Sequence, residues 1–279
     1  MIKNLYSGKL TIITPCFCTG ADQNKPEIRA ASIRGQLRWW FRVLGGTREQ
    51  EVNVFGGTGQ GEADSKAKAS KVVVRVRDVK LISGDKINPN PNTIEQYLYY
   101  FAMVSGKEEG ISRTTSGNYF DRGSSFRLEI LLKSDLNSDE FNLLNDAIEL
   151  FLRLGSIGLR ATRACGCFTA EGKDAVDFDY SKFPNLLVGK YNQEAYKDGK
   201  AAQIVLGGWL KDTLRKENHI SSNEKSPLGY TIKKDRESSA LKLRPIEYNG
   251  KFLTYFYYTD EACGMDESLK HLFLKNKIN

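Results

Sequence analysis

The stretch Ser32–Gly46, with the sequence SIRGQLRWWFRVLGG, predicts the first helix and, with it, the fold of the chain around it. Its apolar residues recur every three or four positions, which places them on one face of an α-helix: Ile33, Leu37, Trp40, Phe41 and Leu44. Ser32 belongs to the residue types that cap helices, and Gly45-Gly46 ends the pattern. We therefore predict an amphipathic helix whose apolar face covers a core.

The segments on either side of this helix have strand patterns. Upstream, the β-branched and aromatic run Lys9–Phe17 predicts a strand that leads into the polar loop Thr19–Pro26. Downstream, Lys71–Leu81 and Phe126–Leu132 predict two more strands. Between these two strands, Pro89–Gly123 looks like an insertion, which holds a short helix at Ile94–Met103.

A second amphipathic helix and a short strand complete the pattern. Ser138 resembles a helix cap, and an apolar stripe follows it down to Gly155: Phe141, Leu144, Ile148, Phe151 and Leu152. Residues 155–172, GSIGLRATRACGCFTAEG, form a glycine-bearing turn that feeds a strand. The order is strand, helix, strand, strand, helix, strand. We therefore predict an α+β protein with a ferredoxin-like, RRM-like βαββαβ module over residues 1–172.

Residues 173–279 carry weaker signals. Leu206–Leu214 indicates a helix, and Ala240–Ile246 with Phe252–Tyr258 across Asn249-Gly250 indicates a β-hairpin. We expect this region to be a second, degenerate module of the same kind.

Positive charge is concentrated in two segments. The formal net charge is +7, and residues 1–48 hold eight basic residues against two acidic ones. Residues 151–170 add three arginines and no acidic residue. A localised excess of this kind favours a polyanionic partner such as a nucleic acid.

Arg34, Arg38 and Arg42 form a row along the predicted helix, beside its apolar face. No carboxylate lies in that row, and guanidinium groups about one turn (~5.4 Å) apart are spaced to hold successive phosphates. A solvated helix face explains the same pattern, but two basic residues just upstream, Lys25 and Arg29, favour binding.

Trp39 lies away from the apolar stripe, and two interpretations of it stay open. Either it stacks on a base, or it packs in the core or in an interface, as most tryptophans do.

The second basic segment is a glycine-rich loop. Arg160 and Arg163 lie among Gly155, Gly158 and Gly166, so the backbone of this loop can approach a ligand closely. In a βαββαβ sheet the last strand lies beside the first, so we expect the loop near the end of the first strand. The two basic segments would then form one site.

These motifs together resemble the RAMP superfamily, and within it the first subunit of the type III-B (Cmr) CRISPR effector complex. The resemblance begins with TPCFCTGADQNKPEIRAASIRGQLRWWFRVLGG and continues with VFGG, the strand SKVVVRV, and LGSIGLRATRACGCF. SPLGYTIKKDRESSALKLRP is similar to a C-terminal segment of the superfamily.

The resemblance implies an RNA-binding subunit, not an enzyme, that binds CRISPR RNA toward its 3′ end and caps a filament of related subunits. Its partners would be CRISPR RNA, target RNA and other RAMP subunits of the Cmr complex. It implies two sets of RNA-binding residues: Lys25, Arg29, Ser32, Arg34, Gly35, Arg38 and Arg42, and then Gly158, Arg160, Arg163 and Gly166.

Two other functions stay open. Some RAMP subunits cleave target RNA with a loop aspartate and a divalent metal, and Asp22 lies in the corresponding loop, near Glu27. The third hypothesis is an assembly adaptor, which packs its arginines and tryptophans against other subunits. The two histidines, His219 and His271, lack a recognisable catalytic partner, so we predict no catalytic residue and no metal or other cofactor.

Five cysteines favour reduced thiols over a disulfide framework, because their number is odd and no C-x-x-C motif occurs. The pairs Cys16/Cys18 and Cys165/Cys167 raise the idea of a zinc site, but we interpret them as packing residues. The sequence also lacks a membrane-spanning run and a signal peptide, so we expect a cytoplasmic protein.

Overall fold

Four antiparallel strands form the first sheet: β1 (Lys3–Ile12), β2 (Val72–Lys80), β3 (Ser125–Leu132) and β4 (Phe168–Ala170). Their order across the sheet is β2-β3-β1-β4. A computed structural model describes residues 2–22, 25–58, 67–84, 87, 90–103, 119–216, 228–232, 235–237 and 239–259. The predicted neighbourhood of the first and last strands is confirmed, since β1 pairs with β4 along one side and with β3 along the other.

The first strand lies earlier in the chain than predicted. β1 ends at Ile12, whereas the prediction ran from Lys9 to Phe17. The backbone beyond Ile12 leaves the regular ladder, because Ile13 N donates to Cys167 O (2.9 Å) and Cys16 N to Phe120 O (2.9 Å). Both faces of this segment are buried, so its composition is that of a strand although its pairing is irregular. Strands β2 and β3 begin and end within one residue of the prediction.

Two long helices, α1 (Ala30–Val43) and α4 (Ser138–Leu154), pack against one face of this sheet. Both predicted caps are wrong by a short distance. Ser32 lies inside the first turn of α1, and Arg29 holds the cap position without a side-chain cap bond. In α4 the cap is Asn137, whose side chain accepts from Glu140 N (2.8 Å). Composition places a helix start only to within a turn, because several neighbouring residues are suitable caps.

Two further helices precede β3. The first, α2 (Arg48–Phe55), was not predicted, although its signal is in the sequence: Thr47 and Gln50 form a reciprocal capping box. The second, α3 (Ile94–Met103), has the predicted bounds.

The second sheet comes from the C-terminal part of the chain, in the order β5-β9-β8. Its strands are β5 (Leu186–Tyr196), which was not predicted, and the predicted hairpin of β8 (Leu241–Tyr248) and β9 (Lys251–Thr259). Asn249 and Gly250 connect the hairpin with φ values of +50° and +72°, as a tight turn requires. Two short strands, β6 (Tyr230–Ile232) and β7 (Asp235–Glu237), pair separately. Helix α5 (Gly199–Gly208) continues into a π-helical segment, Trp209–Arg215.

The layers alternate sheet, helices, sheet, helix. On one face of β9, Tyr257 stacks on Trp40 of α1 with ring centroids 5.3 Å apart. On its other face, Phe256 packs against Trp209 at 4.9 Å. The outer face of the first sheet exposes side chains such as Lys9, Arg77 and Arg127. None of the helices in the described ranges has the length and hydropathy needed to span a bilayer.

Candidate nucleic-acid interface

The arginine row of α1 has an ion-pair partner that the sequence pattern did not reveal. Glu51 of α2 accepts from Arg38 Nε (2.6 Å) and from Arg42 NH1 (3.0 Å) with the same carboxylate oxygen, Oε1. The expectation of an unneutralised row is therefore wrong for these two residues. The expectation failed because α2 was not predicted from the sequence. This helix folds back along α1 and brings the Glu51 carboxylate to the arginine row.

Glu51 neutralises part of the row but leaves it accessible. The Glu51 side chain is buried, whereas those of Arg38 and Arg42 keep 36% and 43% of their surface exposed. A guanidinium carries five N–H donors, and each arginine uses one in these bonds to Glu51. Arg34 is exposed and, among the described residues, forms no ion pair. Three guanidinium groups and one carboxylate leave a surface with net positive charge.

Gly35 provides an open space beside this row. A Cβ atom built on Gly35 would meet no described atom of the chain within 4 Å, so no packing contact requires glycine here. Glycine in a helix interior costs about 1 kcal/mol relative to alanine. Gly35 and its exposed neighbour Ser32 thus leave the α1 backbone open to close approach from outside.

Trp39 is half-buried and makes contacts within the chain. Its ring meets Trp40 edge-on at 4.8 Å, and Lys242 Nζ of β8 lies 4.3 Å from its centroid. The packing interpretation explains both contacts. Stacking on a base stays a prediction.

The glycine-rich loop lies beside the segment that follows β1, as expected. Leu159 N donates to Phe17 O (2.8 Å) and Gly166 N to Pro15 O (2.8 Å). Gly158 and Gly166 have φ values of +88° and +67°, and a Cβ on either would meet a backbone oxygen at 2.5 Å or less. Packing within the chain is therefore enough to require glycine at both positions.

The two arginines of this loop differ in exposure. Arg160 is exposed, has a φ of +58°, and donates from NH2 to Tyr97 O (3.4 Å). Arg163 is buried and donates to Leu228 O (3.1 Å). The single exposed site expected from the sequence therefore loses Arg163, and Gly166 is buried with it.

Lys25 and Arg29 lie on the segment that leads into α1. Both are exposed, and Lys25 Nζ is 3.5 Å from Asp22 Oδ2, a pairing typical of a surface turn. Glu27 N donates to Cys18 O (2.9 Å), next to the residue that holds the glycine-rich loop. The segment before α1 and the loop therefore attach to the same stretch, Phe17–Cys18.

The cysteines are packed thiols. Cys16 and Cys18 approach to 3.4 Å between sulfur atoms, and the four described cysteines are all free. A hydrogen bond to Cys18 and burial raise the pKa of Cys16, and burial raises the pKa of Cys165 to about 12. In the described part of the chain, no cluster of three or more His, Cys, Asp or Glu side chains has a metal-binding arrangement. Cys263, His219 and His271 lie outside the described residues.

Comparisons with known proteins converge on one group. A family model described as the RAMP superfamily matches residues 9–169. The Cmr subunit Cmr1-2 of Pyrococcus furiosus is 33% identical over 184 residues, which cover 58% of this chain and 92% of that protein. Cmr1-1 of the same organism is 28% identical over 150 residues, which cover 50% of this chain and 40% of that protein.

Two solved structures share the fold. The apo crystal structure of Cmr1 from Pyrococcus furiosus superposes with a TM-score of 0.58 at 18% identity, covering all of this chain and 93% of that one. A chain of a type III-B Cmr-beta complex bound to cognate target RNA gives a TM-score of 0.56 at 12% identity, covering 96% and 98%.

Proposed function

Because the chain belongs to the RAMP superfamily and resembles Cmr1, we propose that it is a non-catalytic RNA-binding subunit of a type III-B CRISPR (Cmr) ribonucleoprotein. In this role it binds CRISPR RNA toward its 3′ end, beside target RNA. It caps a filament of related RAMP subunits in cytoplasmic antiviral defence. The Cmr subunit names of its relatives and the basic surface of α1 support the proposal.

We also propose a domain organisation. Residues 1–172 form a ferredoxin-like module, because the sheet order β2-β3-β1-β4 with two helices on one face is that of a βαββαβ unit. Residues 173–279 form the degenerate second module. Its sheet packs on the helices of the first module, so the two share a core.

The observation that carries the RNA-binding proposal is the surface formed by Arg34, Arg38 and Arg42 around the open space at Gly35. An exposed guanidinium group can bind two oxygens of one phosphate at the same time. The missing side chain at Gly35 lets the RNA backbone come close to the helix. Contacts of this kind hold RNA without reading its sequence. The site residues that fit are Lys25, Arg29, Ser32, Arg34, Gly35, Arg38, Arg42, Gly158 and Arg160.

Arg34 offers the cleanest test, because it is exposed and forms no ion pair among the described residues. We expect Arg34→Glu to weaken binding of single-stranded RNA by about tenfold and to reduce the dependence of affinity on salt. Fluorescence anisotropy over a salt series measures both. Arg48→Glu, an equal charge reversal at an exposed position of α2, is the matched control.

Equal affinities for Arg34→Glu, Arg48→Glu and the unmodified chain contradict the proposal. The same samples test the absence of catalysis, because RNA incubated with Mg²⁺ should stay intact. Cleavage that disappears in Asp22→Ala favours the nuclease alternative instead.

A further inference from the structure

Arg163 and Arg215 bring two guanidinium groups to one backbone oxygen. NH2 of Arg163 donates to Leu228 O (3.1 Å), and NH2 of Arg215 donates to the same oxygen and to Gly229 O (2.9 Å). Arg163 comes from the glycine-rich loop, and Arg215 ends the π-helical segment after α5. Two like charges thus lie side by side at the junction of the two sheets.

Three N–H donors of this pair have no acceptor among the described residues. They are Nε of Arg163 and both Nε and NH1 of Arg215, and all three atoms are buried. Arg163 is 7% exposed, and within the described ranges no carboxylate pairs with either arginine. Burying a charged donor without a partner is costly, and a second cation beside it adds repulsion. Burial, with Arg215 acting in the same direction and Tyr97 against it, lowers the pKa of Arg163.

The backbone around the pair is held firmly. Gln203 Nε2 donates to Arg163 O (3.0 Å), and Leu243 N donates to Thr162 O (3.3 Å), so the loop is tied to α5 and to β8. The fold therefore fixes the backbone that carries Arg163, which is not free to move as an unattached surface loop would be.

We propose that Arg163 and Arg215 form a binding site for a phosphate group. A phosphate carries several acceptor oxygens, and charged guanidinium N–H groups bind such oxygens strongly, so one phosphate group can accept from all three unused donors. The exposed Arg160 lies in the same loop, where burial and then the charge of Arg163 lower its pKa. The phosphate belongs to an RNA backbone or to a free phosphate or nucleotide, because both present the same chemistry.

A third buried arginine shows why the pair matters. In the described part of the chain, Nε and NH1 of Arg244 also lack a partner, but Arg244 is a single cation that donates to two backbone oxygens, Arg153 O and Phe168 O. It lies over the Phe168 ring, 5.4 Å from the centroid, and packs the two halves of the chain together. Convergence of two cations on one point distinguishes Arg163 and Arg215 from this packing role.

Thermal unfolding of the full chain in inorganic phosphate tests the site. At ionic strength held constant with NaCl, we expect Tm to rise by about 3 °C for each tenfold increase of phosphate above its Kd. Arg215→Gln should abolish the rise, and Arg215→Lys should reduce it, because lysine keeps the charge but loses the fork. Lys216→Gln removes an adjacent exposed charge and should leave the rise unchanged.

An equal rise in Arg215→Gln and Lys216→Gln overturns the proposal, since phosphate then acts on the chain as a whole. If Arg215→Gln does not fold, Arg215→Lys decides: phosphate affinity by calorimetry equal to that of the unmodified chain overturns the site.

The source of the phosphate follows from adding saturating single-stranded RNA. Loss of the phosphate response assigns the site to an RNA backbone, and persistence assigns it to a free phosphate or nucleotide. The inference does not rest on RNA binding at α1, because Arg34→Glu should lose RNA affinity there while keeping the full phosphate response.

Discussion

At the scale of single residues, Glu51 and Gly35 define what α1 presents to its surroundings. Glu51 fixes two of the three arginines and removes one unit of positive charge. Gly35 leaves an opening that no described side chain fills. Arg34 is exposed and forms no ion pair among the described residues, so its full charge is accessible at the surface.

Gly35→Ala separates stability from binding. We expect the free energy of unfolding to rise by about 0.5–1 kcal/mol, because alanine is the better helix former and its Cβ would meet no described atom within 4 Å. RNA affinity should fall by about tenfold, because the new methyl group blocks close approach of the RNA backbone. Chemical denaturation and anisotropy measure the two effects. Gln36→Ala, on the same helix, is the control, and unchanged affinity in Gly35→Ala shows that RNA does not reach this backbone.

At the scale of elements, α2 lowers the net positive charge of the surface that α1 presents. The capping box of Thr47 and Gln50 starts α2 directly after the turn at Gly45-Gly46, so the short helix folds back along α1. Its buried carboxylate then meets guanidinium groups of the longer helix. The outcome is an ion-pair clamp between the two helices, in which Glu51 of α2 binds Arg42 and Arg38 of α1, nine and thirteen residues before it in the chain.

Glu51→Gln tests this clamp. Loss of the carboxylate should lower the free energy of unfolding by about 1–3 kcal/mol, because two charged donors lose their charged acceptor. The surface gains one positive charge, so RNA affinity at low salt should rise and its salt dependence should steepen by about 0.7. Glu49→Gln, exposed on the same helix, is the control. Weaker RNA binding in Glu51→Gln than in Glu49→Gln would instead mean that Glu51 orients the arginines for RNA.

At the scale of the whole molecule, one core joins the two sheets. Helices α1 and α4 lie between them, and Trp40 of α1 stacks on Tyr257 of β9. Arg244 of β8 reaches across to Phe168 O of β4. The largest core is therefore shared between the two proposed modules, while a second cluster fills the space between α5 and the other face of the second sheet. Because residues of both modules contribute to both clusters, we expect the modules to unfold together.

Tyr257→Ala tests this coupling. We expect a loss of about 3–5 kcal/mol in the free energy of unfolding and a single transition, because the cavity opens in the shared core. Hydrogen exchange of β1 and β9 amides should accelerate in parallel. Tyr248→Ala, half-exposed in the same hairpin, is the control. Faster exchange confined to β9 would mean that the two sheets are independent units.

The sequence by itself determined the elements whose signal is local. The stripe from Ile33 to Phe41 is buried, and α3 and the Asn249-Gly250 hairpin are at their predicted positions. Hydrophobic periodicity and turn residues depend on positions close together in the chain, so a single sequence is enough to predict these elements.

Only the tertiary structure decided which charges stay at the surface. Arg163 lies three residues after Arg160 in the same loop, yet its side chain is buried and donates to Leu228 O, 65 residues further along the chain. Arg38 and Arg42 are paired because α2 brings Glu51 to them. Burial and ion pairing depend on distance in space, and residues far apart in the chain become neighbours only when the layers pack. For that reason the helix of the candidate interface could be predicted, but its electrostatics could not.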